Sequence, residues 1–293
     1  MENRTFIPGS EWVYFKLYTG TKMADIILKK EIIEYISEMK KNDFIDKWFF
    51  IRYGDPDFHL RLRLHLKERH NFTFIFNRFF EIFYPAVNSG FIWNIQCDTY
   101  QREIERYGVN SISLIEELFF IDSESTIELL YSLGEENPEQ ERWKYALILI
   151  DSFLSAFLLT LSQRKRLLNT LAESYKKEFG FTHRHTTKQL NDKYRFYRKD
   201  IEDCMLWENE NKESIQIIKA RKEAISPIAE KIIGMNQSHN LQISMESLLS
   251  SIIHMTMNRW FSSKNRLNEM VIYEFLSRFY TSKIAKTNRE WTH

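Results

Sequence analysis

Phe58 to Leu66 reads F-H-L-R-L-R-L-H-L. It alternates without a break, which is the two-residue period of a β-strand. His59, Arg61, Arg63 and His65 then share one face, and Leu60, Leu62, Leu64 and Leu66 share the other. Four leucines in a row are a strand glued to a core. The opposite row needs a different explanation. Its members stand about 7 Å apart, and two of them are permanent cations. Like charges in a row repel, so this face demands an anion: a carboxylate, a phosphate or carboxylates of the protein itself. The plainer reading is the solvated face of an edge strand, with arginine placed there to block aggregation. The pattern alone leaves both readings open.

Working outward, Trp48 to Tyr53 (W-F-F-I-R-Y) is a mostly apolar strand, and Gly54-Asp55-Pro56-Asp57 is a turn signal. Together they predict a hairpin or adjacent strands ending in the arginine strand. Ser10 to Tyr18 is a further strand, with Trp12, Tyr14 and Lys16 opposite Val13, Phe15 and Leu17. Phe91 to Thr99 is the fourth. Between them, Lys22 to Lys41 carries apolar residues at helical spacing, and Asn71 to Tyr84 predicts a helix stopped near Pro85. After Gly108 the character changes. Helices are expected over 111–133, 139–162, 191–211, 212–233, 241–260 and 266–285, with Pro227 inside or breaking one of them; 163–188 is expected to be helical and then loop-like around 183–185, and 235–240 to be a linker. The fold class is therefore α+β: an N-terminal antiparallel sheet packed against a mostly helical C-terminal two-thirds. The expectation is one domain over 1–293, strand-rich to 108 and helix-rich from 109.

Composition narrows the functions. Lys+Arg 41 against Asp+Glu 40 gives a net charge of +1 over 293 residues, so no global field attracts nucleic acid and any anion site is local. Cys97 and Cys204 are the only cysteines and have no metal spacing. With no apolar signal segment at the N-terminus, the expected setting is a reducing cytoplasm. The longest apolar run, Tyr145 to Leu161, is broken by Asp151, Ser152, Ser155 and Thr160, and reads as a buried helix rather than a membrane span. Dinucleotide, P-loop, zinc-protease and hydrolase-elbow motifs are absent. His183 and His185 have no ligand partners at metal spacing and read as loop residues. No metal or cofactor is expected.

Three groups remain that carry chemistry. One is the His59, Arg61, Arg63, His65 row. The second is Arg102 and Arg106 in Y-Q-R-E-I-E-R-Y-G, four apart, with Glu103 and Glu105 near enough to neutralise them in a local ion-pair network. The third is His254 in S-I-I-H-M-T-M-N-R-W, with Asn258 one turn on and Arg259 beside it. A histidine on an apolar helix is commonly a satisfied core residue. Its ordinary pKa of about 6.5 also suits proton transfer at neutral pH.

These stretches carry a resemblance. S-E-W-V-Y-F-K-L-Y, W-F-F-I-R-Y-G-D-P-D-F-H-L-R-L-R-L, Y-Q-R-E-I-E-R-Y-G, I-I-H-M-T-M-N-R-W and E-F-L-S-R-F-Y, in that order from about Glu11 to Tyr280, resemble the C-terminal domain of lantibiotic dehydratases. The same domain occurs alone in thiopeptide biosynthesis. Residues 163–240 carry no matching motif. The resemblance implies elimination of glutamate from a glutamylated Ser or Thr of a precursor peptide, leaving dehydroalanine or dehydrobutyrine. A tRNA-dependent glutamylation protein supplies the ester. With no room here for that partner domain, the expectation is a stand-alone member.

The resemblance also implies site residues. The family's arginine pair, its further arginine and its histidine fall on Arg61, Arg63, Arg102 and His254, expected to converge as the catalytic set. Arg106 competes with Arg102 for the third position. His59, Arg52, Tyr53, Arg106 and Asn258 are the candidate substrate-binding residues. Arginines suit a departing carboxylate and an enolate-like transition state. A neutral imidazole takes the α-proton. Two alternatives stay open. Pyridine-forming members of the family condense two dehydroalanines in a formal [4+2] cycloaddition and release the leader, but tend to lose this arginine and histidine set. A non-catalytic member would only present the precursor peptide. Homodimerisation is left open.

Overall fold

The computed structural model describes residues 3–133, 138–181 and 184–290. It divides into two compact units. One holds the chain up to residue 134 together with Met235–Ser244; the other holds residues 135–234 and the chain from Met245 onward.

The first unit is built on a four-stranded antiparallel sheet. Its strands are β2 (Trp12–Thr19), β3 (Ile45–Tyr53), β4 (His59–Leu66) and β5 (Ile92–Cys97), in the spatial order β3-β4-β2-β5. The helical stretch α1 (Thr21–Ile27) and α2 (Ile33–Lys41), joined by a π turn over Leu28–Ile32, links β2 to β3; α3 (Phe72–Asn88) links β4 to β5. This βαββαβ path with its inserted strand pair is the ferredoxin-like arrangement. The strand alternation explains why it forms. Leu60, Leu62 and Leu64 are fully buried, and Phe15, which lies opposite Leu62, stacks on Phe79 of α3 at 3.9 Å. Tyr35 of α2 edges onto the same Phe79 ring and donates its hydroxyl to the Ile75 carbonyl at 3.0 Å. The leucine face is thus closed by α2 and α3.

A small two-stranded ladder, β1 (Thr5–Phe6) with β6 (Tyr100–Gln101), lies over one end of the opposite face. There Tyr100 meets Trp12 and Phe49 at centroid distances of 5.2 and 6.1 Å. After the single-turn α4 (Ile104–Tyr107), helix α5 (Ile112–Ser132) flanks the outer edge of β3. The Phe50 N–H donates to Ser123 Oγ at 3.3 Å, and the Trp48 indole donates to Glu124.

The second unit is helical: α6 (Pro138–Ala156), α7 (Leu161–Glu178), α8 (Arg184–Cys204), most of α9 (Glu213–Gln237), α10 (Met245–Trp260) and α11 (Asn265–Glu290). The acid that interrupts its longest apolar run has a structural role. Asp151 is buried and accepts from Arg164 Nη1 at 2.8 Å, the Trp207 indole at 3.0 Å and the Tyr280 hydroxyl at 2.5 Å. Among the described residues no helix is long and apolar enough to cross a membrane.

All four expected strands are present, and the class is α+β with an N-terminal antiparallel sheet and a mostly helical remainder. Several helix boundaries differ from expectation. Helix α3 runs three residues beyond Pro85; the proline removes one i→i−4 bond, the one to the Glu81 carbonyl, and the helix ends within a turn of it. The break between the helix expected over 139–162 and the helical stretch expected from 163 falls earlier, between Ala156 and Leu161. Leu158 turns into the left-handed region at φ 56°, and Thr160 and Gln163 form a capping box that starts α7. Helix α9 passes through Pro227 and replaces the first residues of the expected linker. Helix α8 begins at Arg184 and buries Leu190 and Ile201, so it is less solvated than its charge suggests. His183 lies outside the described residues.

Candidate functional site

The register of β4 sets the chemistry of its outer face. His59, Arg61, Arg63 and His65 lie opposite Tyr18, Lys16, Tyr14 and Trp12 of β2, and opposite Tyr53, Ile51, Phe49 and Lys47 of β3. The cations therefore stand between two aromatic strands, and this is not the solvated edge that the pattern alone allows: β4 is an interior strand.

Arg63 is 7% exposed. Its guanidinium lies over three rings, Tyr14 at 4.6 Å, Tyr100 at 4.7 Å and Phe49 at 5.2 Å. Its Nε is buried with no hydrogen-bond partner, and among the described residues no carboxylate pairs with it. The rings supply cation–π attraction. They do not supply acceptors for the guanidinium's donors, and a buried charge without a counter-charge is costly.

Arg61 stacks on Tyr53 at 3.4 Å and donates from Nε to His59 Nε2 at 3.1 Å. A guanidinium only donates, so His59 Nε2 must accept. The proton of the neutral ring then sits on Nδ1, which donates to the Asp57 carbonyl at 2.8 Å. Burial lowers the His59 pKa; the Asp57 carbonyl opposes that shift and the Arg61 charge reinforces it. Lys16, across from Arg61, pairs with Asp98 and holds that carboxyl below its ordinary range. At the far end of the row, His65 is taken up by Asp46 at 2.7 Å.

Arg102 reaches the same neighbourhood by a different route. Its Nε and Nη2 grip Glu116 of α5 at 2.7 and 2.6 Å, and Tyr100 donates its hydroxyl to the same carboxylate at 2.8 Å. Tyr100 thus touches Arg63 with its ring and Glu116 with its hydroxyl. Arg106 instead makes an exposed contact with Glu103 at 3.3 Å. Of the two arginines competing for this role, Arg102 is the one tied to the ring over Arg63. Arg52 requires a correction. It lies opposite Leu60, so it stands on the leucine face, away from Arg61 and Arg63. There it is buried and pairs with Asp25 at 2.6 Å. Its even-numbered position on β3 decides this. Tyr53, the next residue, is on the arginine face.

His254 and Asn258 belong to the second unit, on α10. His254 Nδ1 lies 3.0 Å from both oxygens of Glu269 on α11. The side chain of Glu269 is fully buried, and that of His254 keeps 21% exposure. Glu269 also accepts from the Tyr175 hydroxyl of α7 at 2.8 Å and from the Tyr273 hydroxyl, one turn on, at 2.7 Å. Burial, and then the Glu269 charge, raise the pKa of both tyrosines, so they remain O–H donors. Arg266 is held off the acid: it pairs with Glu178 and lays its guanidinium 4.5 Å from the Tyr175 ring. The backbone carbonyl of Asn258 accepts from Asn265 Nδ2 at 3.3 Å.

Sequence reasoning missed Glu269, Tyr175, Tyr273 and Glu116. The one signal for Glu269 was an acid followed four residues later by a tyrosine inside an apolar helix. Nothing local ties it to a histidine 15 residues upstream.

Comparison with known proteins gives the family and the fold. A family model described as lantibiotic biosynthesis dehydratase C-term matches residues 12–280. The subtilin biosynthesis protein SpaB of Bacillus subtilis is 24% identical over 297 residues, covering 98% of this chain and 27% of its own length. The chain thus spans about a quarter of that curated relative. In fold, it is similar to the tRNA dependent lantibiotic dehydratase MibB from Microbispora sp. 107891, with a TM-score of 0.71 and 18% identity over 92% of this chain and 28% of that one. It is also similar to the pyridine synthase TbtD from thiomuracin biosynthesis, with a TM-score of 0.65 and 13% identity over 93% of this chain and 99% of that one. The match across residues 12–280 means that this chain belongs to the family of lantibiotic biosynthesis dehydratase C-terminal domains.

Proposed function

We propose that this chain eliminates glutamate from glutamylated Ser or Thr residues of a ribosomal precursor peptide. A base takes the α-proton, the Cα–Cβ double bond forms, and the Cβ–O bond breaks to release glutamate, leaving dehydroalanine or dehydrobutyrine. The observation that carries this reading is Arg63, a buried guanidinium framed by three rings and paired with no carboxylate among the described residues. Such a group suits an anionic ligand, and both the leaving glutamate and the enolate-like transition state are anionic. Arg61, fixed by Tyr53 and His59, is its neighbour on the face. Arg102 supports the aromatic wall through Glu116 and Tyr100. His254 serves as the proton-transfer group. The ester comes from a tRNA-dependent glutamylation activity, and the substrate is the precursor peptide, leader plus core. The reading needs neither metal nor nucleotide.

Pyridine formation is the second reading. It is favoured by the likeness to TbtD over 99% of that chain. One experiment separates the two. The purified protein is given a peptide bearing a glutamyl ester on Ser and, separately, a dehydrated, azole-bearing peptide. Elimination releases glutamate from the first and leaves a peptide lighter by one water than the unmodified one. Activity only on the second, giving a pyridine macrocycle, would falsify the elimination reading. Inertness toward both would support a module that only holds the precursor.

A further inference from the structure

Glu269 is an unusual acid. It is fully buried, yet among the described residues no Lys or Arg pairs with it; Arg266, the nearby cation, is engaged by Glu178. Its carboxylate is met by two phenols and one imidazole. Both hydroxyls donate to it, so the carboxylate acts here as an acceptor. An ionised carboxylate only accepts, so the contact with His254 requires the ring proton to sit on Nδ1. Nε2 then carries the lone pair, and among the described residues nothing hydrogen-bonds to it.

We propose that Glu269 is the positioning residue for His254: it fixes the Nδ1–H tautomer and leaves Nε2 as the atom that accepts the substrate proton. The assignment rests on the elimination reading above. When Nε2 takes the α-proton, the ring becomes an imidazolium, and the adjacent buried carboxylate stabilises that charge where it appears. After the Cβ–O bond breaks, the proton leaves Nε2 to water and the neutral tautomer is restored. Tyr175 and Tyr273 hold the carboxylate in place. Glu178 and Arg266 are the other charged groups facing this cluster from α7 and α11. They pair with each other, which leaves Glu269, among the described residues, as the charge in contact with the imidazole.

The test has two arms. In the first, the protein is labelled with ¹⁵N-histidine, and the His254 signals are assigned by their loss in His254→Ala. The wild type should show a protonated, pyrrole-type Nδ1 and a pyridine-type Nε2 at neutral pH. Glu269→Gln, whose amide can donate to Nδ1, should move the proton to Nε2. A wild-type ring protonated on Nε2, or a variant with an unchanged tautomer, overturns the inference. In the second arm, turnover of the glutamyl ester is measured. Glu269→Gln should lower kcat by about 10²–10⁴-fold, the scale of losing a positioned base or its tautomer, with KM nearly unchanged. A melting curve confirms folding. Should Glu269→Gln not fold, Tyr273→Phe removes one donor and keeps the ring, and should give a smaller loss of kcat. Folded variants with wild-type kcat overturn the inference. A wild type inert on the ester sinks the elimination reading instead, and the tautomer arm still decides the role of Glu269.

Discussion

Arg63 and His254 are the residues on which the reading stands, and each makes a separate prediction. Arg63→Lys keeps the charge but loses the planar fork and its stacking on Tyr14, Tyr100 and Phe49. Lys is therefore a poor substitute. Elimination should fall by roughly 10²–10³-fold, the cost of one charge-stabilising donor, measured as glutamate released per minute. A Lys variant with full activity would show that a point charge is enough and that the stack is incidental. His254→Ala should let the glutamylated peptide accumulate, seen by mass spectrometry as the ester adduct without the lighter product. If the dehydrated peptide still forms at the wild-type rate, another group moves the proton.

At the scale of elements, two predictions concern stability. Thr160 caps α7 through the reciprocal bonds with Gln163. Thr160→Ala should cost about 1 kcal/mol in chemical denaturation; no change would mean that packing alone holds that helix start. The β4 face makes a pH prediction. Burial depresses the His59 pKa, so as pH falls the unfolded chain takes this proton before the folded one does. The contribution of the neutral ring is then complete above about pH 6.5 and is lost as pH falls through the depressed folded value. His59→Asn should flatten the fall of the denaturation midpoint between neutral and mildly acidic pH, and equal slopes would rule this out. Elements also show what the sequence discloses. Period-two alternation exposed β4 and both its faces, because each leucine must meet α2 or α3. It did not reveal that β4 is an interior strand, since pairing order depends on where distant strands return. Arg52 was misgrouped because its face follows from the pairing with Leu60, which only the β3–β4 register defines. Glu269 and Glu116 were illegible for a related reason: a buried acid is explained by its partners, and those sit on other helices.

For the whole molecule, the near balance of charge, +1 over 293 residues, means that no long-range field gathers the substrate. The ionic-strength dependence of kcat/KM should be shallow, because charges in partly buried contacts are weakly screened; a steep decline with salt would point to an extended electrostatic surface. Arg63 has one more consequence. An uncompensated buried charge is a burden on the folded state, and even a buried ion pair, whose charges are compensated, is often replaced by apolar side chains of similar volume at no cost or with a gain of about 1–4 kcal/mol. Arg63→Met should therefore melt at the wild-type temperature or above it while losing elimination. Conversely, an anion that settles on Arg63 binds the folded chain and not the unfolded one. By mass action it adds about 2.7 kcal/mol at a hundred times its Kd. Free glutamate, the product of the proposed reaction, should raise the Tm of the wild type and leave that of Arg63→Met unmoved, with glutamine as the weaker control. If the proposed reaction holds, the product is expected to be a ligand of the fold itself, protecting the protein from heat at the concentrations at which it inhibits turnover.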